Sequence, residues 1–168
     1  DLQSEESEAR WDQAYRAAVL DIGRLSILGQ LFRDVEVQAQ RSDAGWAIEL
    51  QSEGASGTAM LPLEPTADSP LRIDLARLAL NESDDQPAGE SDPRGTLPMQ
   101  INVANFSMGD MQFGKVSAEI RTVPDGLVAG PISAESESFN IVADGAWLVE
   151  GNRPEDQQSR LRLELTSN

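Results

Sequence analysis

The stretch Leu20-Asp21-Ile22-Gly23-Arg24-Leu25-Ser26-Ile27 decides the fold. Its apolar residues occupy alternate places, step by three between Ile22 and Leu25, and then alternate again. A period of two over so short a run reads as a half-buried β-strand. An odd step within it reads as a β-bulge, which bends and twists the strand. At a shift of 81 residues, Ile101-Asn102-Val103-Ala104-Asn105-Phe106-Ser107-Met108 repeats the run, with its odd step at the same place, between Val103 and Phe106.

Working outward, the same shift carries Phe32 onto Phe113, Val35 onto Val116 and Gly45 onto Gly126, so the chain holds an internal repeat. The closing strands match as well, Leu71-Arg72-Ile73-Asp74-Leu75 with Leu161-Arg162-Leu163-Glu164-Leu165, at a shift of 90, so the second copy is the longer. A third odd step falls between Leu75 and Leu78. Repeated bends of this kind curl a sheet. Asp43-Ala44-Gly45 and Pro124-Asp125-Gly126 separate strand pairs, where a left-handed glycine permits a tight hairpin. The expected fold is all-β: a mostly antiparallel, strongly curved and twisted sheet of about ten strands in two repeats, forming a half-barrel-like groove.

The repeats are expected over 18–80 and 96–168. Between them, 81–95 has no strong apolar residue and is rich in Pro, Gly, Ser and acids, a linker or long-loop composition. Residues 1–17 form a lead-in, with a short helix expected from Ser7 to Ala18 carrying Trp11 and Tyr15 on one side.

Twenty-nine acidic residues against 13 basic ones give a formal charge of -16, which repels nucleic-acid phosphates, so no nucleic-acid partner is expected. No run approaches the length of a spanning helix. The opening Asp1-Leu2-Gln3-Ser4-Glu5-Glu6 has neither a starting Met nor the regions of a signal peptide, and is expected to belong to the interior of a longer protein.

The chain has no histidine and no cysteine, which removes Ser-His-Asp, Cys-His and zinc-thiolate chemistry. Lys115 is the one lysine and reads as a solvated strand charge. Asp84 with Asp85 falls in the linker, and Glu135 with Glu137 alternates with serines as the outer face of a strand does, so neither reads as a glycosidase or calcium pair. Trp46 and Trp147 each follow a glycine closely and read as packing anchors rather than ligand-stacking rings. No catalytic residue, metal site or cofactor is expected.

The run Leu20 to Gly29, with Phe32-Arg33-Asp34-Val35 and Gly45-Trp46, resembles the repeats near the C-terminal end of the YhdP family, in the AsmA-like group that includes TamB. The second half resembles it more specifically, in Leu97-Pro98, Phe113-Gly114-Lys115-Val116, Asp125-Gly126-Leu127, Gly145-Ala146-Trp147 and the closing Leu161 to Ser167. The resemblance covers about residues 18 to 168 and carries packing motifs, not a catalytic site. It implies a periplasmic location in a Gram-negative bacterium, within a protein anchored in the inner membrane. It also implies phospholipid transport to the outer membrane along a curled β-sheet with an apolar groove, flanked by neighbouring β-repeats.

On that reading the groove is lined by Ile22, Leu25, Ile27, Val35, Val37, Ile48, Ile73, Leu75, Ile101, Val103, Phe106, Met108, Val116, Ile120, Ile141, Leu161 and Leu163, which would touch phospholipid acyl chains. Placing Asp at Val103 or Leu163 should stop transport and leave the protein folded. The same residues would equally fill the core of a closed sandwich, and the rival function is a structural or protein-binding β-sandwich module. An acid-dependent glycan enzyme would need two facing carboxylates in a cleft. Edge strands of a curled sheet would make the chain prone to self-association.

Overall fold

The computed structural model describes residues 17–27, 30–80, 93–149 and 157–167. Ten strands form one sheet in chain order: β1 (Ala17–Ile27), β2 (Gln30–Ser42), β3 (Gly45–Gln51), β4 (Ala55–Pro62), β5 (Leu71–Leu80), β6 (Met99–Met108), β7 (Met111–Val123), β8 (Gly126–Glu135), β9 (Phe139–Val149) and β10 (Gln157–Ser167). Strands β1 to β5 are an antiparallel meander, and β6 to β10 are a second. The meanders meet through β5 and β6, which run parallel. Strands β1 and β10 do not pair, so the sheet stays open rather than closing into a barrel. All ten strands belong to a single sheet.

The repeat organises the sheet as the shifts predict. Ser42 pairs with Gly45 across Asp43-Ala44, and Val123 pairs with Gly126 across Pro124-Asp125. The glycines do what was expected of them and more. Gly45 and Gly126 open the strand after each turn, at φ +139° and +149°, in contact with the neighbouring strand's backbone. A Cβ there would stand 2.2 Å from the Leu61 carbonyl oxygen or 2.1 Å from that of Trp147. The positive φ, as expected, and the close approach of the next strand both require glycine.

The bulges fall mostly where the odd steps put them. Pairing slips between Ser56 and Gly57 opposite the Leu75–Leu78 step, and between Val103 and Phe106. Since Leu75 pairs with Val103 and Leu78 with Phe106 at constant offset, these two bulges lie side by side and bend the sheet along a line. Further slips occur at Ala118/Ile120 and Ala129/Ile132. The step from Ile22 to Leu25 is a different device. Ile22 pairs with Val35 and Arg24 with Arg33 without a change of register, while Gly23 and Asp34 face each other unpaired. Both strands kink together, with Asp34 at φ 49°, a region that Asp tolerates better than most residues.

Two other expectations change. Ala17 and Ala18, the end of the stretch read as a helix, open β1; the rest of that stretch, with Trp11 and Tyr15, lies outside the described residues. The end of the linker is structured: Pro93–Gly95 is a turn of 3-10 helix packed against β7, β8 and β9, with Pro93 buried. Thr122 Oγ1 donates to the Thr96 carbonyl at 2.6 Å, and Leu71 N to that of Pro98 at 2.9 Å, which ties the returning chain to the sheet before β6 begins.

Candidate functional site

Residues paired across neighbouring strands project to the same face of a sheet. One line of pairs therefore crosses all ten strands on one face: Leu20, Val37, Leu50, Gly57, Leu75, Val103, Val116, Ala134, Ile141 and Leu165. A second line runs beside it through Ala18, Ala39, Ile48, Ala59, Ile73, Ile101, Ala118, Ile132, Ala143 and Leu163. A third, over β5 to β10, is Leu71, Met99, Ile120, Ala129, Gly145 and Leu161. None of the three contains a polar or charged side chain.

The opposite face is polar over its middle strands and carries exposed Val19 and Val142 at either end of that run. The line Gln38, Glu49, Thr58, Asp74, Asn102, Ser117 and Ser133 crosses β2 to β8. Asn102 Nδ2 donates to Asp74 Oδ1 at 2.8 Å, and the Ser117 and Ser133 hydroxyls are 2.8 Å apart. Lys115 is exposed and pairs with Glu135 at the backbone, on this face rather than the apolar one. Among the described residues no group of acids is arranged to hold a metal ion.

Burial shows how the apolar face is shaped. Val103 is 2% exposed and Val35 1%, although no second layer of sheet lies on that face. A valine standing on a flat single layer would meet water. The face is therefore concave where these two stand, in β2 and in β6, and at the second the aligned bulges bend the sheet. Toward both edges it opens: Leu20 is 52% exposed on β1, and Leu161 reaches 71% on β10. The apolar face is thus covered at Val35 and Val103 and exposed at the two edge strands.

Rings mark both rims. Phe106, Phe113 and Phe139 form a chain at one end of the strands, with centroids 5.3 and 5.9 Å apart. At the other end, Trp46 pairs with Leu61, and Leu127 pairs with Trp147. Each repeat thus places one Trp and one Leu at the same hairpin position with the strands exchanged. The Arg41 guanidinium lies 5.9 Å from the Trp46 ring centroid, within cation–π range.

The residues expected to line a groove distribute as follows. Val37, Leu75, Val103, Val116 and Ile141 stand in the first line; Ile48, Ile73, Ile101 and Leu163 in the second; Ile120 and Leu161 in the third. Ile22 pairs with Val35, and Phe106 and Met108 pair with Leu78 and Leu80, on the same face. Leu25 and Ile27 belong to β1, and their side chains lie outside the described residues. The lines add Leu20, Leu50, Leu71, Met99, Ile132 and Leu165, together with the alanines and glycines between the larger residues. Alternation had marked all six of these larger residues as strand positions.

Sequence reasoning also missed the serine turns. Ser52 Oγ accepts from Ala55 N at 2.9 Å and donates to its carbonyl at 3.0 Å; Ser136 does the same with Phe139, at 3.0 Å for each bond. The signal was present as Ser-Glu at both places, Ser52-Glu53 and Ser136-Glu137.

An open sheet of two consecutive meanders, apolar on one face and polar over most of the other, defines the class as an all-β repeat protein. The family description YhdP protein matches residues 2–168, and the chain belongs to the YhdP family. This is a family of bacterial envelope proteins and is not known as one of enzymes. No curated protein and no solved structure matches the chain.

Proposed function

We propose that the chain is one segment of a bridge for phospholipid between the inner and outer membranes, lying in the periplasm of a Gram-negative bacterium and anchored at the inner membrane elsewhere in the protein. The observation that carries this reading is the line of apolar residues from Leu20 to Leu165, unbroken over ten strands. At about 4.8 Å per strand it is roughly 45 Å long. Moving an acyl chain of about 16 methylenes through water would cost on the order of 13 kcal/mol, and a continuous trough lowers that barrier without side-chain chemistry. No enzymatic step and no cofactor are needed. Neighbouring repeats prolong the trough at either edge, where Leu20 and Leu161 stand exposed.

The test is lipid content. The chain, expressed in a bacterial periplasm and purified without detergent, should carry phospholipid detectable by native mass spectrometry and extraction. Leu163→Asp, at a position 55% exposed, should remove it while the far-ultraviolet spectrum stays unchanged. A Leu163→Asp variant that retains the same lipid would sink the trough assignment. Val103 is the poorer probe, because at 2% exposure an Asp there attacks the fold itself.

A further inference from the structure

The three apolar lines carry no charge, but the next line toward the tryptophan rim does. Arg41 pairs with Trp46 and Trp46 with Leu61, each two residues along its strand from Ala39, Ile48 and Ala59, with no slip between. Residues two apart on a regular strand share a face, so Arg41 stands on the apolar face and not on the polar one. Its guanidinium lies 5.9 Å from the Trp46 ring centroid, and both side chains are half-buried. Val37, in the line that crosses all ten strands, is four residues away on β2, about 13 Å at the usual rise of a strand.

The second repeat is built otherwise at this place. Thr122 takes the position of Arg41 at the shift of 81 and pairs with Leu127, and Leu127 pairs with Trp147. Its hydroxyl donates to the Thr96 carbonyl at 2.6 Å, where the chain returning through Pro93–Gly95 packs on β7, β8 and β9. The far rim carries the chain of phenylalanine rings. Arg41 therefore marks one repeat and one rim.

A chain of formal charge -16 repels anions over most of its surface. A guanidinium set beside aliphatic side chains reverses this locally, because its planar fork matches phosphate oxygens and the apolar surroundings strengthen the bond. Trp46 draws the cation to its ring face and offers an apolar flank to the methylenes next to a headgroup. An alkyl chain that ends in an anionic phosphate answers both features; a free phosphate answers only the first. We propose that Arg41 is the headgroup anchor of the apolar face, binding the phosphate of a phospholipid at the tryptophan rim while the acyl chains lie on Ile48 and Val37. This rests on the lipid reading and adds a polarity to it: headgroups at the tryptophan rim, acyl ends toward the phenylalanine rim.

The probes are dodecyl phosphate, dodecyl maltoside, whose head is neutral, and inorganic phosphate. In isothermal titration of the 168-residue protein at physiological ionic strength, below micelle formation, both amphiphiles should bind and inorganic phosphate should not. Arg41→Gln should weaken dodecyl phosphate about tenfold, the scale of a charge-assisted hydrogen bond, and leave dodecyl maltoside within about twofold. Arg41→Lys keeps the charge without the fork and should recover about threefold of that loss. Arg121→Gln removes the same charge near the same rim but from the polar face, and should move neither amphiphile by more than about twofold. The inference is overturned if Arg41→Gln leaves dodecyl phosphate unchanged, weakens both amphiphiles equally, or is matched by Arg121→Gln. It is also overturned if inorganic phosphate binds the wild type as tightly as dodecyl phosphate, which would make Arg41 a free-anion site. Failure of both amphiphiles to bind the wild type is a different result: it removes the trough, and the anchor with it.

Discussion

Replacing Val103 with Asp, beside Leu163 with Asp, separates a folded-over face from a flat one. Val103 is 2% exposed between Leu75 and Val116, in the central strands; Leu163 is 55% exposed on the edge strand β10. Removing the valine forfeits about 1.5–3 kcal/mol of apolar burial, and an unpaired carboxylate in its place adds several kcal/mol unless it takes up a proton. The sum, about 5 kcal/mol or more, reaches the lower end of the stability of a typical domain. At Leu163 less than half of the side chain's surface is at stake, which limits the loss to about 1 kcal/mol. Urea unfolding followed by far-ultraviolet circular dichroism gives both values, and in a Trp11→Phe background the fluorescence of Trp46 and of Trp147, each left as the single tryptophan in turn, reports whether the halves unfold together. Equal losses at the two positions, or a Val103→Asp variant within about 1.5 kcal/mol of the wild type, would refute the claim that the sheet bends over its own middle.

Two further substitutions test local geometry. Trp46→Leu should cost about 1–3 kcal/mol, and adding Leu61→Trp should recover most of it, because the second repeat already carries that arrangement at Leu127 and Trp147; a double variant no better than the single one would deny the equivalence of the hairpins. Gly126→Ala should lower the urea midpoint by the equivalent of more than about 1 kcal/mol, since its Cβ would meet the Trp147 carbonyl at 2.1 Å, whereas Gly23→Ala, with nothing within 4 Å, should shift it by less than about 0.5 kcal/mol.

Much of this was legible because a period of two is a local property. Leu71-Arg72-Ile73-Asp74-Leu75 states which residues share a face without reference to any other strand, and the shifts of 81 and 90 state which strands are equivalent. What alternation leaves open is how faces on different strands join, since that depends on hairpin length and on bulges. The slip at Ala118/Ile120 carries the line from Val116 to Ala134, and a longer hairpin, with Gly126 pairing Leu148 where Gly45 pairs Pro62, carries it on to Ile141, neither step being one that the shift of 81 would suggest. The parallel pairing of β5 with β6 is likewise set by a crossover and not by either strand's own pattern. The kink at Gly23 and Asp34 was read as a one-strand bulge because the pattern of a single strand cannot show that its partner slips with it.

The second line of the trough shows why the apolar face, and not the polar one, can turn inward. Bending a sheet crowds the side chains on its concave side, where adjacent strands approach at the level of the side-chain tips. Along that line large residues are separated by alanines: Ile48, Ala59, Ile73, then Ile101, Ala118, Ile132, Ala143, Leu163. Alternation of large and small residues is how the taper inside a small barrel is filled, and here it operates without closure. The exception is the pair Ile73 and Ile101, two large residues side by side at the β5–β6 joint. That joint is also where two bulges align, so the bend there is supplied by the backbone rather than by small side chains. Curvature therefore has two sources, alanines within each repeat and paired bulges between repeats. Enlarging an alanine such as Ala118 should flatten its own repeat, while straightening the bulges would flatten the seam.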